Sequence, residues 1–217
     1  MKKLLSFEKS NQLLKRYNIP LVLGGRYTSL EKALDFVNKI GYPVVIKIAS
    51  PNVAHKTEYG GVEVDLENEE EFRKAWQKLW PLQEKFQPQG LVVQKMRKGF
   101  ELSAGIERDA QFGPVVMFGW GGIFIEILKQ VNFRIAPINK EQARGMIDEL
   151  QGSKVLSGFR GRPQIDWGKL AQLLVNLSAL ATENPDVLQV DLNPIMSEGS
   201  IVEVADARIY VSKNFNL

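Results

Sequence analysis

The chain has 217 residues, 44% of them hydrophobic, no cysteine and a formal charge of +3. That length can bury a core as one domain or two small ones, and so mild a charge argues against a nucleic-acid partner. Disulfides and thiolate metal sites are excluded; no stretch reaches the ~20 apolar residues that a bilayer demands, and the start does not read as a secretory signal, so the expectation is a cytoplasmic chain with no membrane partner.

Leu4, Phe7, Leu13, Leu14 and Tyr17 recur at roughly helical spacing and predict a helix ahead of Pro20. Thr28 and Glu31 have the spacing of a capping box and open a second helix, which Gly41 stops. Strands are predicted at "PVVIKIA" and "GVEVDL", joined by the polar stretch "SPNVAHKTEYGG". Asn68 and Glu71 repeat the capping pattern before a third helix, and "PLQEKFQPQG" reads as a connection to the strand "LVVQKM".

After Gly99 the texture changes. "FELSAGIERD" alternates, "PVVMFG" runs into "GWGG", and a strand near "FRIAPI" leads to a helix from Asn139 to about Leu150. A long helix ending before Pro185 and two closing strands complete the chain. Interleaved helices and strands with hairpins indicate an α+β, or mixed α/β, fold rather than a doubly wound one. Two lobes are expected: residues 1–97, holding the N-terminal helix and the loop of His55, and residues 98–217, holding the final hairpin.

That hairpin is the most calculable feature. If "SEGS" forms a four-residue loop pairing Met196 with Ile201, Asp191 falls opposite Asp206, with Asn193 on the same face and diagonal to Asp206. Opposed carboxylates repel unless a cation or proton lies between them, and two carboxylates with an amide oxygen are hard ligands of the kind magnesium takes. A hairpin with solvated charges fits the same pattern.

Lys47 interrupts an apolar strand, either as a snorkelling or edge lysine or as a fixed positive charge for a phosphate. Gly60-Gly61, and the glycines of Gly119–Gly122, allow backbone to approach an anion closely, though tight turns use glycine too. The single histidine, His55, is either a surface residue or a phosphoryl acceptor, because a lone imidazole can take a phosphoryl group directly onto its ring.

Beyond this point a resemblance carries the reading. "YPVVIKIASPNVAHKTEYGGVEVDL", "VVQKMRKGFEL", "DAQFGPVVMFGWGGIFIEILKQVNFRIAPI" and "DLNPI…VADARI" resemble the ATP-grasp (beta) subunits of ADP-forming acetyl-CoA and other acyl-CoA synthetases, relatives of succinyl-CoA synthetase. The similarity runs from about Phe7 to Tyr210 with the motifs in order. It implies an ATP-grasp fold that holds ADP or ATP between two lobes. Lys47 matches the phosphate-contacting lysine, Gly60 and Gly61 end the nucleotide-side loop, and Gln94, Lys95 and Met96 match the hinge that meets adenine largely through backbone groups. Glu101 matches the ribose-binding carboxylate. Asn193 and Asp206 match the Mg2+ ligands, with Asp191 as a third.

His55 matches the phosphorylated histidine of the beta subunit, which passes phosphate from a phosphohistidine on a CoA-binding alpha subunit to ADP. The resemblance therefore also implies that alpha subunit as partner, in a heterotetramer, since nothing in this chain resembles a CoA-binding domain. Two departures stand out: Glu58 and Gln130 replace the aspartates usual at those positions. Arg134 and Glu126 are further candidates for phosphate and loop contacts. Two alternatives remain: an ATP-grasp ligase that works without phosphohistidine, and a non-enzymatic nucleotide-sensing module.

Overall fold

The computed structural model describes residues 2–49, 60–84, 90–122, 130–158, 161 and 163–217. The chain divides into two units, Val22–Arg97 and Met1–Leu21 together with Lys98–Leu217.

The unit of residues 22–97 contains β2 (Gly24–Tyr27), α2 (Leu30–Ile40), β3 (Val44–Ile48), β4 (Val62–Leu66), α3 (Glu69–Glu84) and β5 (Leu91–Lys95). Its strands form an antiparallel sheet in the order β2-β5-β3-β4. Val44, Ile46 and Ile48 of β3, with Leu91 and Val93 of β5, pack against Ala33 and Val37 of α2 and Phe72 and Leu79 of α3. Since alternate strand residues face opposite ways, Val45, Lys47, Val92 and Gln94 point to the other face.

The helix ends follow capping chemistry, with two departures from expectation. The cap of α2 is Ser29 rather than Thr28: its Oγ accepts from the Lys32 amide and its hydroxyl donates to Glu31. Asn68 caps α3 as the spacing predicts, Oδ1 accepting from the Glu71 amide at 3.0 Å. However, α3 continues through Pro81 to Glu84, where a connection was expected. Contacts on either side of Pro81 offset the lost amide: Trp76 and Trp80 stack at 5.2 Å within the helix, Leu79 is buried in the core, and buried Gln83 accepts from the Gly90 amide.

The second unit contains β1 (Lys3–Leu4), α1 (Phe7–Arg16), β6 (Phe100–Asp109), β7 (Gly113–Trp120), β8 (Val131–Ile135), α4 (Lys140–Asp148), a 3-10 turn (Ser153–Ser157), α5 (Trp167–Glu183), β9 (Val187–Glu198), β10 (Ile201–Val204) and β11 (Ala207–Val211). The sheet runs β1-β11-β9-β6-β7-β8, with β10 pairing β9. Leu102, Ala104 and Ile106 of β6 join Leu170, Leu174 and Leu177 of α5 in one core. The intervening Glu101, Ser103, Gly105 and Glu107 face away from it.

The grouping of the first residues differs from the expected 1–97 lobe. Leu4 is in a strand, not a helix, because Lys3 and Leu4 pair with Val211 and Tyr210 and the Leu5 amide donates to the Ile209 carbonyl. Leu13 and Leu14 of α1 are buried in the same core as α5. A pairing between residues about two hundred positions apart therefore assigns the N-terminal segment to the second unit.

One side chain ties the end of α5 to the sheet. Arg108 of β6 donates to the carbonyls of Ala181 and Asn184, which the helix end leaves open, and of Val187 at the start of β9, at 2.6–2.8 Å. Burial lowers the guanidinium pKa from its ordinary value, with Asp186 acting the other way. Arg108→Ala leaves these carbonyls without their donor and is expected to cost about 3 kcal/mol. Urea denaturation should show a lower midpoint, with Arg108→Lys in between.

Candidate functional site

In the unit of residues 22–97, β3 carries Lys47 on the face away from the helices, 6% exposed. The same strand leads directly into the polar stretch. Ile48 donates its amide to the Gly61 carbonyl at 2.9 Å and Lys47 pairs with Val62, so the two ends of that stretch are fastened beside the lysine. Gly60 has φ +63°, a conformation that glycine adopts without strain. His55 and Glu58 lie outside the described residues, as does Glu126.

The segment Gln94–Met96 is more constrained than expected. Gln94 is 5% exposed and lies across β2 where only a glycine fits: a Cβ on Gly24 would stand 2.3 Å from Gln94 Cγ. The Lys95 ammonium donates to the carbonyls of Gly41 and Tyr42, at 3.0 and 2.8 Å, so its side chain serves the end of α2. The amide of Lys95 is taken by the Leu23 carbonyl and that of Met96 by the Pro43 carbonyl. In an antiparallel ladder such a pair exchanges two bonds. Pro43 has no N–H to return, which leaves the Met96 carbonyl without its ladder donor. Pro43 was not recognised from sequence; its signal is a proline two residues after a helix-ending glycine, at the mouth of a strand.

In the other unit the hairpin register differs from the one calculated. Glu198 pairs with Ile201, so the turn is the two residues Gly199-Ser200, with Gly199 at φ +56°, rather than a four-residue loop. Asp191 consequently faces Arg208, not Asp206, and the Asn193 amide donates to the Asp206 carbonyl at 3.1 Å. Asp206 remains close enough to Asp191 for its charge to act there. Burial is the main cause that holds the Asp191 carboxyl above its usual range; Arg208 pulls it down and the Asp206 charge pushes it further up.

The glycines of Gly119–Gly122 have individual steric reasons. A Cβ on Gly119 would lie 2.6 Å from the Gln130 carbonyl oxygen and one on Gly121 2.6 Å from that of Leu102. At Gly122 a Cβ would fall 1.9 Å from Glu101 Oε2, so only glycine lets that carboxylate lie over the turn. The Gly122 amide also points to Asn193 Oδ1, at 3.4 Å. This turn thus brings Glu101 and Asn193 together. A cavity of about 110 Å³ opens on the same face over Gly105, with Asp191, Glu107 and Met117 in its wall.

Arg134 turns to α4 and pairs with both oxygens of Glu149 at 2.5 and 2.7 Å. Gln130 donates its side-chain amide to Gln151. Among the described residues no helix is long and apolar enough to cross a membrane. Nor do three His, Cys, Asp or Glu side chains group there to hold a metal; the cluster on β9 and beside β11 offers two carboxylates and one amide oxygen.

Comparison with known proteins identifies the family. Residues 1–211 match the ATP-grasp domain family. The chain is 40% identical over 206 residues to the beta subunit of ADP-forming acetate–CoA ligase I of Pyrococcus furiosus, covering 93% of this chain and 89% of that subunit. It is 39% identical to ADP-forming acetate–CoA ligase I of Archaeoglobus fulgidus, where the match covers 93% of this chain and 30% of that one. Among solved structures, an acetyl-coenzyme A synthetase of Candidatus Korarchaeum cryptofilum, in complex with coenzyme A and Ca-AMPCP, superposes with a TM-score of 0.90 at 38% identity. That match covers 97% of this chain and 94% of the other. The chain belongs to the ATP-grasp family, among the beta subunits of ADP-forming acetate–CoA ligases and their relatives.

Proposed function

We propose that this chain is the nucleotide-binding beta subunit of an ADP-forming acyl-CoA ligase, acting on acetyl-CoA or a similar short acyl-CoA with a CoA-binding alpha subunit in a heterotetramer. The observation that carries this reading is the similarity to a beta subunit along 93% of this chain and 89% of that one. The reaction is acyl-CoA + ADP + phosphate = carboxylic acid + CoA + ATP. On the partner, phosphate displaces CoA to give an acyl phosphate, and a histidine there takes the phosphoryl group as the acid leaves. A lone pair of the neutral His55 imidazole then attacks that phosphorus, forming one P–N bond as the other breaks. A terminal oxygen of ADP finally attacks phosphorus and frees His55. A solved relative has a phosphohistidine segment pointing towards its nucleotide-binding site, which supports such a transfer.

The side chains supply charge and position. Lys47, buried on a rigid strand, offsets negative charge on the transferring oxygens. Asp191, Asn193 and Asp206 fit Mg2+ by their oxygen donors; the Asp191 carboxyl, raised mainly by burial and further by the Asp206 charge, would be relieved by a cation. A bound magnesium ion neutralises phosphate charge there. Glu101, held over Gly122, suits the ribose hydroxyls. The Met96 carbonyl, deprived of a donor by Pro43, is the acceptor for the exocyclic amino group of adenine.

Incubating the chain with Mg2+ and ATP, followed by intact-mass spectrometry at neutral pH, should add one phosphoryl group that ADP removes and that His55→Ala lacks. Phosphorylation surviving His55→Ala would overturn the relay, and nucleotide binding without any transfer, even beside the alpha subunit, would favour a sensing module. Titration calorimetry should show ADP binding about tenfold or more tightly than IDP, whose 6-oxo group meets the Met96 carbonyl as a second acceptor; equal affinities would remove that carbonyl from base recognition. The raised Asp191 carboxyl stabilises the metal-free fold while protonated, a contribution present at low pH and lost as pH rises through the raised value. Asp191→Asn should therefore melt above the wild type at about pH 8 and close to it at about pH 4. Mg2+ should raise the melting temperature of the wild type alone.

A further inference from the structure

The sheet of residues 22–97 carries a cation that the account above does not use. Arg26 of β2 pairs with Val92 of β5, and Lys47 of β3 pairs with the same Val92 from its other side. Directly opposed residues of antiparallel strands project to one face, so Arg26, Val92 and Lys47 form a single row across three strands. The neighbouring row, Gly25–Val93–Ile46, runs into the helix-covered core, which fixes the Arg26 row on the opposite face. Two strand spacings separate Arg26 from Lys47, about 10 Å between Cα atoms, a gap that two long side chains can close from both ends.

The rows on this face are ordered along the strands. Gly24–Gln94–Val45 comes first, leading towards Met96, and Arg26–Val92–Lys47 follows. If the base is read at Met96, the phosphates lie further along, at the level of the second row. We infer that Arg26 is a second phosphate-binding cation, gripping the phosphates of the nucleoside diphosphate together with Lys47. The inference rests on the nucleotide reading.

A charge on an outer strand also guards a free sheet edge, but either sign serves that purpose, and nothing in it calls for the face and row of Lys47. The chemistry favours arginine here. A guanidinium offers two parallel donors to two phosphate oxygens at once, whereas the Lys47 ammonium acts as a point charge. Val92, 2% exposed between them, sets an uncharged, low-dielectric floor under both cations, where their attraction for an anion is less screened.

The test is calorimetric binding of ADP and of adenosine, with Mg2+ present, to the wild type, Arg26→Ala and Arg26→Lys. Arg26 is exposed on an outer strand, and melting curves of the variants verify that the fold is kept. The expected result is a loss of roughly ten- to a hundredfold in ADP affinity in Arg26→Ala, unchanged adenosine affinity, and partial recovery in Arg26→Lys. The wild type should also lose ADP affinity more steeply with added salt than Arg26→Ala does. Unchanged ADP affinity in Arg26→Ala, or adenosine affinity falling in step with it, would overturn the inference while leaving the nucleotide reading in place. A wild-type chain that binds no ADP would overturn both.

Discussion

The register of β9 against β11 is the constraint on which the candidate metal site depends. A strand turns its side chains to alternate faces, so a slip of one residue would send Asp191 and Asn193 into the helices and bring Leu192 to the surface. Leu192 is wholly buried and Val190, on the same face, nearly so, as is Ile209, which pairs with Val190 from the neighbouring strand. Burying these apolar groups resists a slip, and the polar face inherits its geometry from the apolar one. The two-residue turn at Gly199-Ser200 sets the pairing of β9 with β10, and the Asp206 backbone bond to Asn193 extends it to the site.

The same division of labour recurs in the unit of residues 22–97. Val44, Ile46 and Ile48 hold β3 against two helices, and the residues between them are then obliged to face away. Lys47 gains its fixed position this way: a charged group carried on a strand loses little further entropy on meeting an anion. The polar stretch that contains His55 leaves and rejoins the sheet next to that lysine, its ends clamped by the Ile48–Gly61 bond. A proline at the start of β3 completes the arrangement by what it lacks, since the missing Pro43 amide leaves the Met96 carbonyl open.

Close packing explains the glycines better than conformational freedom does. Gly24, Gly119 and Gly121 each lie against backbone or a buried side chain at distances that no Cβ allows. Gly122, beneath the exposed Glu101 carboxylate, differs: its φ of +54° calls for glycine's conformational freedom. A glycine-rich turn at such a site is thus first a packing device, and the functional groups it gathers come from neighbouring strands.

Much of this was legible in the sequence because it rests on local chemistry. A continuous apolar run placed Lys47 in a strand, Asn68 and Asn139 announced their helices through side chains that reach amides three residues on, and the quoted motifs pointed to the family. What the sequence by itself determined, then, is the elements and the residue types at the candidate site. Only the tertiary structure decided how they pair. It set Asp191 opposite Arg208, joined the first strand to the last, carried α3 through Pro81, turned Arg134 to Glu149 and aligned Arg26 with Lys47. These outcomes depend on contacts between residues far apart in the chain, whose energies come from burying apolar surface on the opposite face. Local pattern carries no record of that burial, so the register, and with it the geometry of the site, waits for the packed sheet.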